Sequence, residues 1–248
     1  MKRFITTALM VLTVVFAMLA GDTYALITGC SSYNDPRNNT HQTTEDAKQF
    51  RKIMRNATSN ITLLTSENAT STSTLDKLRK FAAGTKAGDR IVFFYSGHGS
   101  SASEGKAGLF MSDGQVLPYS SILKALNASK AKEKIIILNC CYSGGIKAEM
   151  DKLGITDIIV IASSRADEVT YENTIIGGCF FTNSLKAALM GKADFNKDRK
   201  VTLDEAFRYV HKDVVKKTTN SKNAQPQHPT LVAPKAMKDI VLMDWTGK

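Results

Sequence analysis

Two stretches of this 248-residue chain combine reactive side chains with the freedom of neighbouring glycines. In the first, the apolar run Arg90-Ile-Val-Phe-Phe-Tyr95 leads into Ser96-Gly97-His98-Gly99. In the second, Lys134-Ile-Ile-Ile-Leu138 leads into Asn139-Cys140-Cys141-Tyr142-Ser143-Gly144-Gly145. A thiol facing an imidazole is a nucleophile beside a base. An ordinary thiol is mostly protonated at neutral pH, and a nearby histidine accepts its proton or, as imidazolium, stabilises the thiolate. The glycines let a ligand approach the backbone and leave N–H groups free to hold a developing oxyanion, a contribution of ~3–4 kcal/mol in enzymes where it has been measured. Taken singly, the histidine also fits a structural role and the cysteine pair fits buried packing. Their pairing carries the chemical reading.

The elements that must position these groups alternate along the chain. Residues 24–30, 61–65, 90–95, 134–138 and 155–162 are short runs rich in Val, Ile, Leu and Phe, suited to strands buried on both faces. Between them, residues 44–55, 75–83, 118–126 and 180–190 repeat apolar side chains at helical spacing. This alternation predicts an α/β fold with a mostly parallel sheet covered by helices on both faces, its functional loops beyond the carboxyl ends of the strands. If the strands ending near 95 and 138 are neighbours, Cys141 and His98 share one sheet edge. Residues 218–230 are polar and carry prolines, which predicts a loop before a last strand at 239–243.

Composition bounds the rest. With 43% hydrophobic residues, 16 Gly and 5 Pro, the chain is neither disordered, collagen-like nor a multi-span membrane protein, and one core-forming domain over 21–248 is expected. Lys2 and Arg3 precede an apolar run from Phe4 to Ala20 and then Gly21, which reads as a secretory signal over 1–20 and a secreted or periplasmic product. Met18 is a poor fit to the cleavage pattern, so an uncleaved anchor is a minority alternative. Without the leader the formal charge falls from +10 to +8. The lysines are scattered, which predicts a solvated surface, no nucleic-acid partner and no stable membrane insertion once the signal is removed. Four cysteines, two of them adjacent, do not make a disulfide framework, and His41, His211 and His228 lack zinc spacing.

These motifs together resemble the caspase-like cysteine peptidases of bacteria and lower eukaryotes, the group that includes metacaspases and clostripain-related enzymes. Tyr24-Ala-Leu-Ile-Thr-Gly29 with Tyr33-Asn-Asp-Pro36 looks like the family's opening strand and loop, and Glu45-Asp46-Ala47 like the start of its first helix. Tyr95-Ser-Gly-His-Gly99 looks like the histidine motif, and Asn139-Cys-Cys-Tyr-Ser-Gly144 like the cysteine motif, with Cys141 as nucleophile. Ala162-Ser-Ser164 and Gly177-Gly-Cys-Phe-Phe-Thr182 fit further segments. The resemblance implies a three-layer caspase-type sandwich of about six strands. It also implies an endopeptidase using a Cys141–His98 dyad, with Gly99 N–H and the Cys141 N–H holding the oxyanion. The substrate is then a peptide or protein, the enzyme is expected as a monomer, and a zymogen cut between His98 and Cys141, at Lys106-Ala107 or Lys130-Ala131, follows from the same likeness. Metacaspase-like members bind Arg or Lys through acids near the first helix and two residues before the nucleophile. Asp46 matches the first, Asn139 replaces the second, and Asp113 is a candidate substitute. Cleavage after Arg or Lys is expected, and the alternative is a catalytically silent, peptide- or partner-binding protein of the same fold.

A last motif, Asp194-Phe-Asn196-Lys-Asp198-Arg-Lys200-Val-Thr-Leu-Asp-Glu205, reproduces the spacing of an EF-hand calcium loop. Position six, normally Gly, is Arg199, and Thr202-x-x-Glu205 is also a capping box, so without a metal the segment reads as a structural turn. No cofactor is required for the thiol chemistry. One Ca2+ is the cofactor the spacing allows.

Overall fold

The structure, a computed structural model, describes residues 21–173 and 177–247. The expected leader lies outside these residues. In chain order the elements are β1 (Thr23–Gly29), α1 (Thr43–Met54), β2 (Ile61–Thr65), α2 (Ser71–Gly84), β3 (Arg90–Ser96), β4 (His98–Ser100), β5 (Gly108–Phe110), β6 (Val116–Pro118), α3 (Tyr119–Asn127), β7 (Glu133–Asn139), α4 (Ile146–Leu153), β8 (Ile159–Ala162), α5 (Phe180–Ala187), β9 (Lys200–Thr202), α6 (Leu203–Thr219), β10 (Thr230–Val232) and β11 (Val241–Asp244). Six strands form the central sheet in the order β10-β8-β7-β3-β1-β2, parallel except for β10.

The two-residue repeat of the strands divides the core into two layers. Leu26, Phe93, Tyr95, Ile136 and Leu138 point toward α2, α3 and α4, with Leu78, Ile122, Leu126 and Met150 packed on them. Ile27, Val92, Phe94, Ile135 and Ile137 point the other way, toward α1, α5 and α6, where Phe50, Phe181, Leu185 and Val210 meet them. The Phe50 and Phe94 rings stack at 4.3 Å between centroids. Fully burying side chains of this kind stabilises the fold by about 1.5–3 kcal/mol each. The caspase-like sandwich expected from the sequence is the fold observed, with helices on both faces of a mostly parallel sheet.

Four details differ from the sequence expectation. The sixth strand is β10, hidden between Pro229 and Pro234, while the anticipated final strand, β11, leaves the sheet to pair antiparallel with β9. The run from residue 155 contributes only its end, Ile159–Ala162, to the sheet. The stretch between the two reactive motifs folds into the three-stranded antiparallel unit β4–β5–β6 before α3. Helix α2 begins four residues early because Thr70 caps it: the Thr70 hydroxyl accepts the Ser73 N–H, and the Ser73 hydroxyl accepts the Thr70 N–H.

Candidate active site

Register brings the two motifs together. Strands β3 and β7 are neighbours, and Ser96 pairs with Asn139 on their last rung. His98 and Cys141 therefore each stand two residues beyond the same rung, and both line one cleft of about 350 Å³. Gly99 packs directly on the cysteine's backbone: a Cβ there would meet the Cys141 carbonyl oxygen at 2.0 Å and the Cys140 sulfur at 3.2 Å, so no larger residue fits.

The imidazole is held in one tautomer. His98 Nε2 lies 2.8 Å from the Asn38 carbonyl oxygen. A carbonyl only accepts, so Nε2 carries a hydrogen, and in the neutral ring Nδ1 is the nitrogen that holds the lone pair. The Tyr33 ring lies tilted against the imidazole at 5.2 Å between centroids and its hydroxyl accepts the His98 N–H at 3.0 Å, which fixes both ring and backbone.

The four thiols differ in exposure. Cys30, Cys140 and Cys179 are buried, and Cys141 alone is partly exposed. Burial pushes Cys30 up to about 12 and pushes Cys140 and Cys179 well above the usual thiol range. Burial also raises Cys141, opposed by the Thr170 N–H, which donates to its sulfur at 3.4 Å. The peptide unit before it is anchored on the inner side. The hydroxyls of Ser163, Ser164 and Thr170 lie 3.0–3.2 Å from the Cys140 carbonyl oxygen. A trans peptide points its N–H opposite to its carbonyl, so the Cys141 N–H is directed away from this hydroxyl cluster. Tyr142 follows in the left-handed region at φ 58, held there by its N–H donating to the Glu168 carbonyl. A non-glycine residue in that region is strained, and the surrounding contacts sustain it.

Asn139 also lines the cleft, whereas Asp46 lies beneath it, 1% exposed. The Asn139 amide donates to Asp46 Oδ2 at 3.1 Å and to the Ser96 hydroxyl at 2.8 Å. The Ser96 hydroxyl in turn donates to Asp46 Oδ2, and the Cys179 N–H donates to Oδ1. Burial raises the Asp46 carboxyl to about 6, partly offset by these donors. The acid at the cleft wall is one that sequence reasoning did not single out, Glu172. Its carboxylate accepts the N–H groups of His41 and Gln42 just before α1. Glu172 and Thr170 sit about thirty residues past the cysteine in a segment without a motif, so only the fold reveals them.

Asp113 is placed elsewhere, which corrects the idea that it substitutes for the missing acid. It lies in the tight β5–β6 turn, where its carboxylate accepts the Ser71 N–H at the start of α2, and it is not among the cleft-lining residues. No residue of the 194–205 segment is among the cleft-lining residues either. Asp194 accepts the N–H groups of Asp198 and Arg199, Asn196 accepts that of Asp198, Asp198 accepts that of Lys200, and Glu205 caps α6 through Thr202. Arg199 takes φ 64 at the position where glycine is usual. Among the described residues, no group of three or more His, Cys, Asp or Glu side chains is placed to hold a metal ion.

A family model described as "Caspase domain" matches residues 22–241. Among solved structures, the crystal structure of protein GSU0716 from Geobacter sulfurreducens is similar with a TM-score of 0.64 at 16% identity, covering 90% of this chain and 98% of that one. That likeness is one of fold. No curated protein matches the sequence.

Proposed function

The chain belongs to the caspase-domain family, and from that premise we propose that it is a cysteine endopeptidase in which Cys141 is the nucleophile and His98 its base. One observation carries this reading: a partly exposed thiol and an imidazole with a free Nδ1 line the same cleft, each two residues past the Ser96–Asn139 rung. In the proposed cycle the Cys141 proton passes to His98 Nδ1 and the sulfur attacks the scissile carbonyl. The oxyanion is held by the Cys141 N–H, directed away from the hydroxyls behind Cys140, and by the Gly99 N–H. The C–N bond then breaks, His98 returns the proton to the leaving amine, and water attacks the thioester to release the acyl product. A thiol raised by burial makes the histidine necessary, since little thiolate exists without it.

Cleavage after Arg or Lys is the specificity this site favours. Glu172 on the wall attracts a cationic side chain, as does Asp46 behind Asn139 once its own raised carboxyl has ionised above pH 6, and no Lys or Arg is among the cleft-lining residues. The charged and then apolar stretch over 1–20 supports the further proposal that the enzyme carries a secretory leader, acts outside the cytoplasm and is made as a precursor.

Alkylation tests the dyad directly. Iodoacetamide at pH 6 is expected to modify Cys141 first, since the other three thiols are buried, and His98→Ala should slow this about tenfold or more. Labelling of Cys141 at the same rate in both proteins would leave a silent peptide-binding member of the family. Fluorogenic peptides varied at the residue before the cut then read the specificity.

A further inference from the structure

Helix α1 presents Lys48, Arg51, Lys52 and Arg55 along one stripe, at positions i, i+3, i+4 and i+7. None of the four makes an ion pair among the described residues. Helices α2, α4 and α6 each pair at least one basic residue internally, as in Asp76–Arg79, Lys147–Asp151, Asp204–Arg208 and Asp213–Lys217, whereas α1 pairs none of its four. Like charges at these spacings repel, so α1 carries an electrostatic cost that an anion would relieve.

The stripe is also concave. With Lys186, these residues line a groove of about 720 Å³ whose apolar surface comes from Ile53, Trp245 and Met190, the last 60% exposed. Lys186 is steered across it by donating to Gln49 Oε1 at 2.8 Å. Glu45 is the one carboxylate in the lining, at the end nearest the cleft. Thr43, in the first turn of the same helix, lines the Cys141–His98 cleft, so groove and cleft lie along one helix. From Glu45 to its last residue, Met54, the helix rises roughly 14 Å, and Arg55 and Asn56 in the turn beyond carry the groove to a length spanned by about five residues of extended peptide.

We propose that this groove is an exosite that binds an acidic segment of the polypeptide substrate, about five residues long, while the Cys141–His98 cleft holds the bond to be cut. The proposal rests on the peptidase reading for the identity of the polymer. Charge selects an anion, the apolar floor favours a chain with carbon-rich side chains, and continuity with the cleft favours the polypeptide already held there. A substrate would then be recognised by a cationic residue at the cut and a carboxylate-rich stretch nearby, two signals of opposite sign read by two surfaces.

Trp245 is the sole tryptophan of the chain and lines the groove, so its fluorescence reports on occupancy. The full chain carrying Cys141→Ala, titrated with dye-labelled hexaglutamate, is expected to give a saturable rise in anisotropy and a change in tryptophan emission. Affinity should weaken about tenfold or more between ~50 and ~200 mM salt as screening tightens. Lys48→Glu/Lys52→Glu should abolish both signals while keeping the thermal midpoint, both side chains being exposed. Absence of saturable binding, or equal binding by the charge-reversed protein, would overturn the exosite. Tighter saturation by oligo-dT or by anionic lipid vesicles than by hexaglutamate would overturn it as well, in favour of those ligands. In the active enzyme, a hexaglutamate tail on a cleavable peptide should raise kcat/KM severalfold through KM, and the double variant should lose only that gain. A chain that cuts neither the tailed nor the plain peptide refutes the peptidase reading, while the titration still judges the groove by itself.

Discussion

Asp46 carries a proton in the folded chain over a pH range where the unfolded chain has lost it. Its carboxyl is raised from 3.8 to about 6 by burial, against the donors from Cys179 and Ser96. The folded state therefore binds more protons between pH ~4 and ~6. The contribution of this residue to stability is greatest below the unfolded value and is lost as pH rises through 6, a swing of about 3 kcal/mol. Urea unfolding of wild type and Asp46→Asn from pH 4 to pH 7 should show the wild type losing ground to the variant by about that amount. A stability difference that stays constant with pH would mean that Asp46 ionises normally. The same residue scale explains Asn139: its amide donates to Asp46, a bond that a second buried carboxylate could make only by sharing a proton.

Among the elements, the polar loop after α6 does more than connect. Gln227 is fully buried there. Its amide donates to the Ser163 carbonyl at 2.7 Å, and its side-chain oxygen accepts the Tyr171 N–H at 3.2 Å. Ser163 and the Thr170–Tyr171 pair are the ends of the segment that cradles Cys141, so this one side chain clamps the cradle. His228, the next residue, donates its N–H to Glu168, whose carbonyl holds Tyr142. Gln227→Leu leaves the buried Ser163 carbonyl and the part-buried Tyr171 N–H without this partner and should cost about 1–3 kcal/mol. Denaturant unfolding measures that loss. Cys141 alkylation below the unfolding range should also slow, because the Thr170 N–H no longer sits steadily on the sulfur. Unchanged alkylation in a destabilised protein would confine Gln227 to a structural role.

Over the whole molecule, accessibility separates the two basic sites between the dyad strands. Residues 102–106 are exposed, and Lys106 precedes a half-buried Ala107. At the other site Ala131 is 5% exposed and its N–H donates to the Ser129 hydroxyl. If the proposed peptidase processes itself, the cut after Lys106 should precede any cut after Lys130. Intact mass during incubation of wild type and Cys141→Ala checks this. Fragments forming equally in both proteins would rule out self-processing. The groove along α1 belongs to this scale as well, since Lys186, Met190 and Trp245, remote in sequence, join the basic stripe over 48–55 only in the folded chain.

The motifs that carry His98 and Cys141, the alternation of strands and helices, and the three-layer architecture were legible in the sequence. Apolar period and glycine-flanked motifs are local signals, and a parallel sheet places the loops after its strands on one edge. The tertiary structure alone decided that Ser96 pairs with Asn139, that β10 rather than β11 closes the sheet, that Asp113 serves α2 and that Glu172 reaches the cleft. Strand register and the packing of remote loops depend on contacts between residues far apart in the chain, and no local pattern of residue types encodes them.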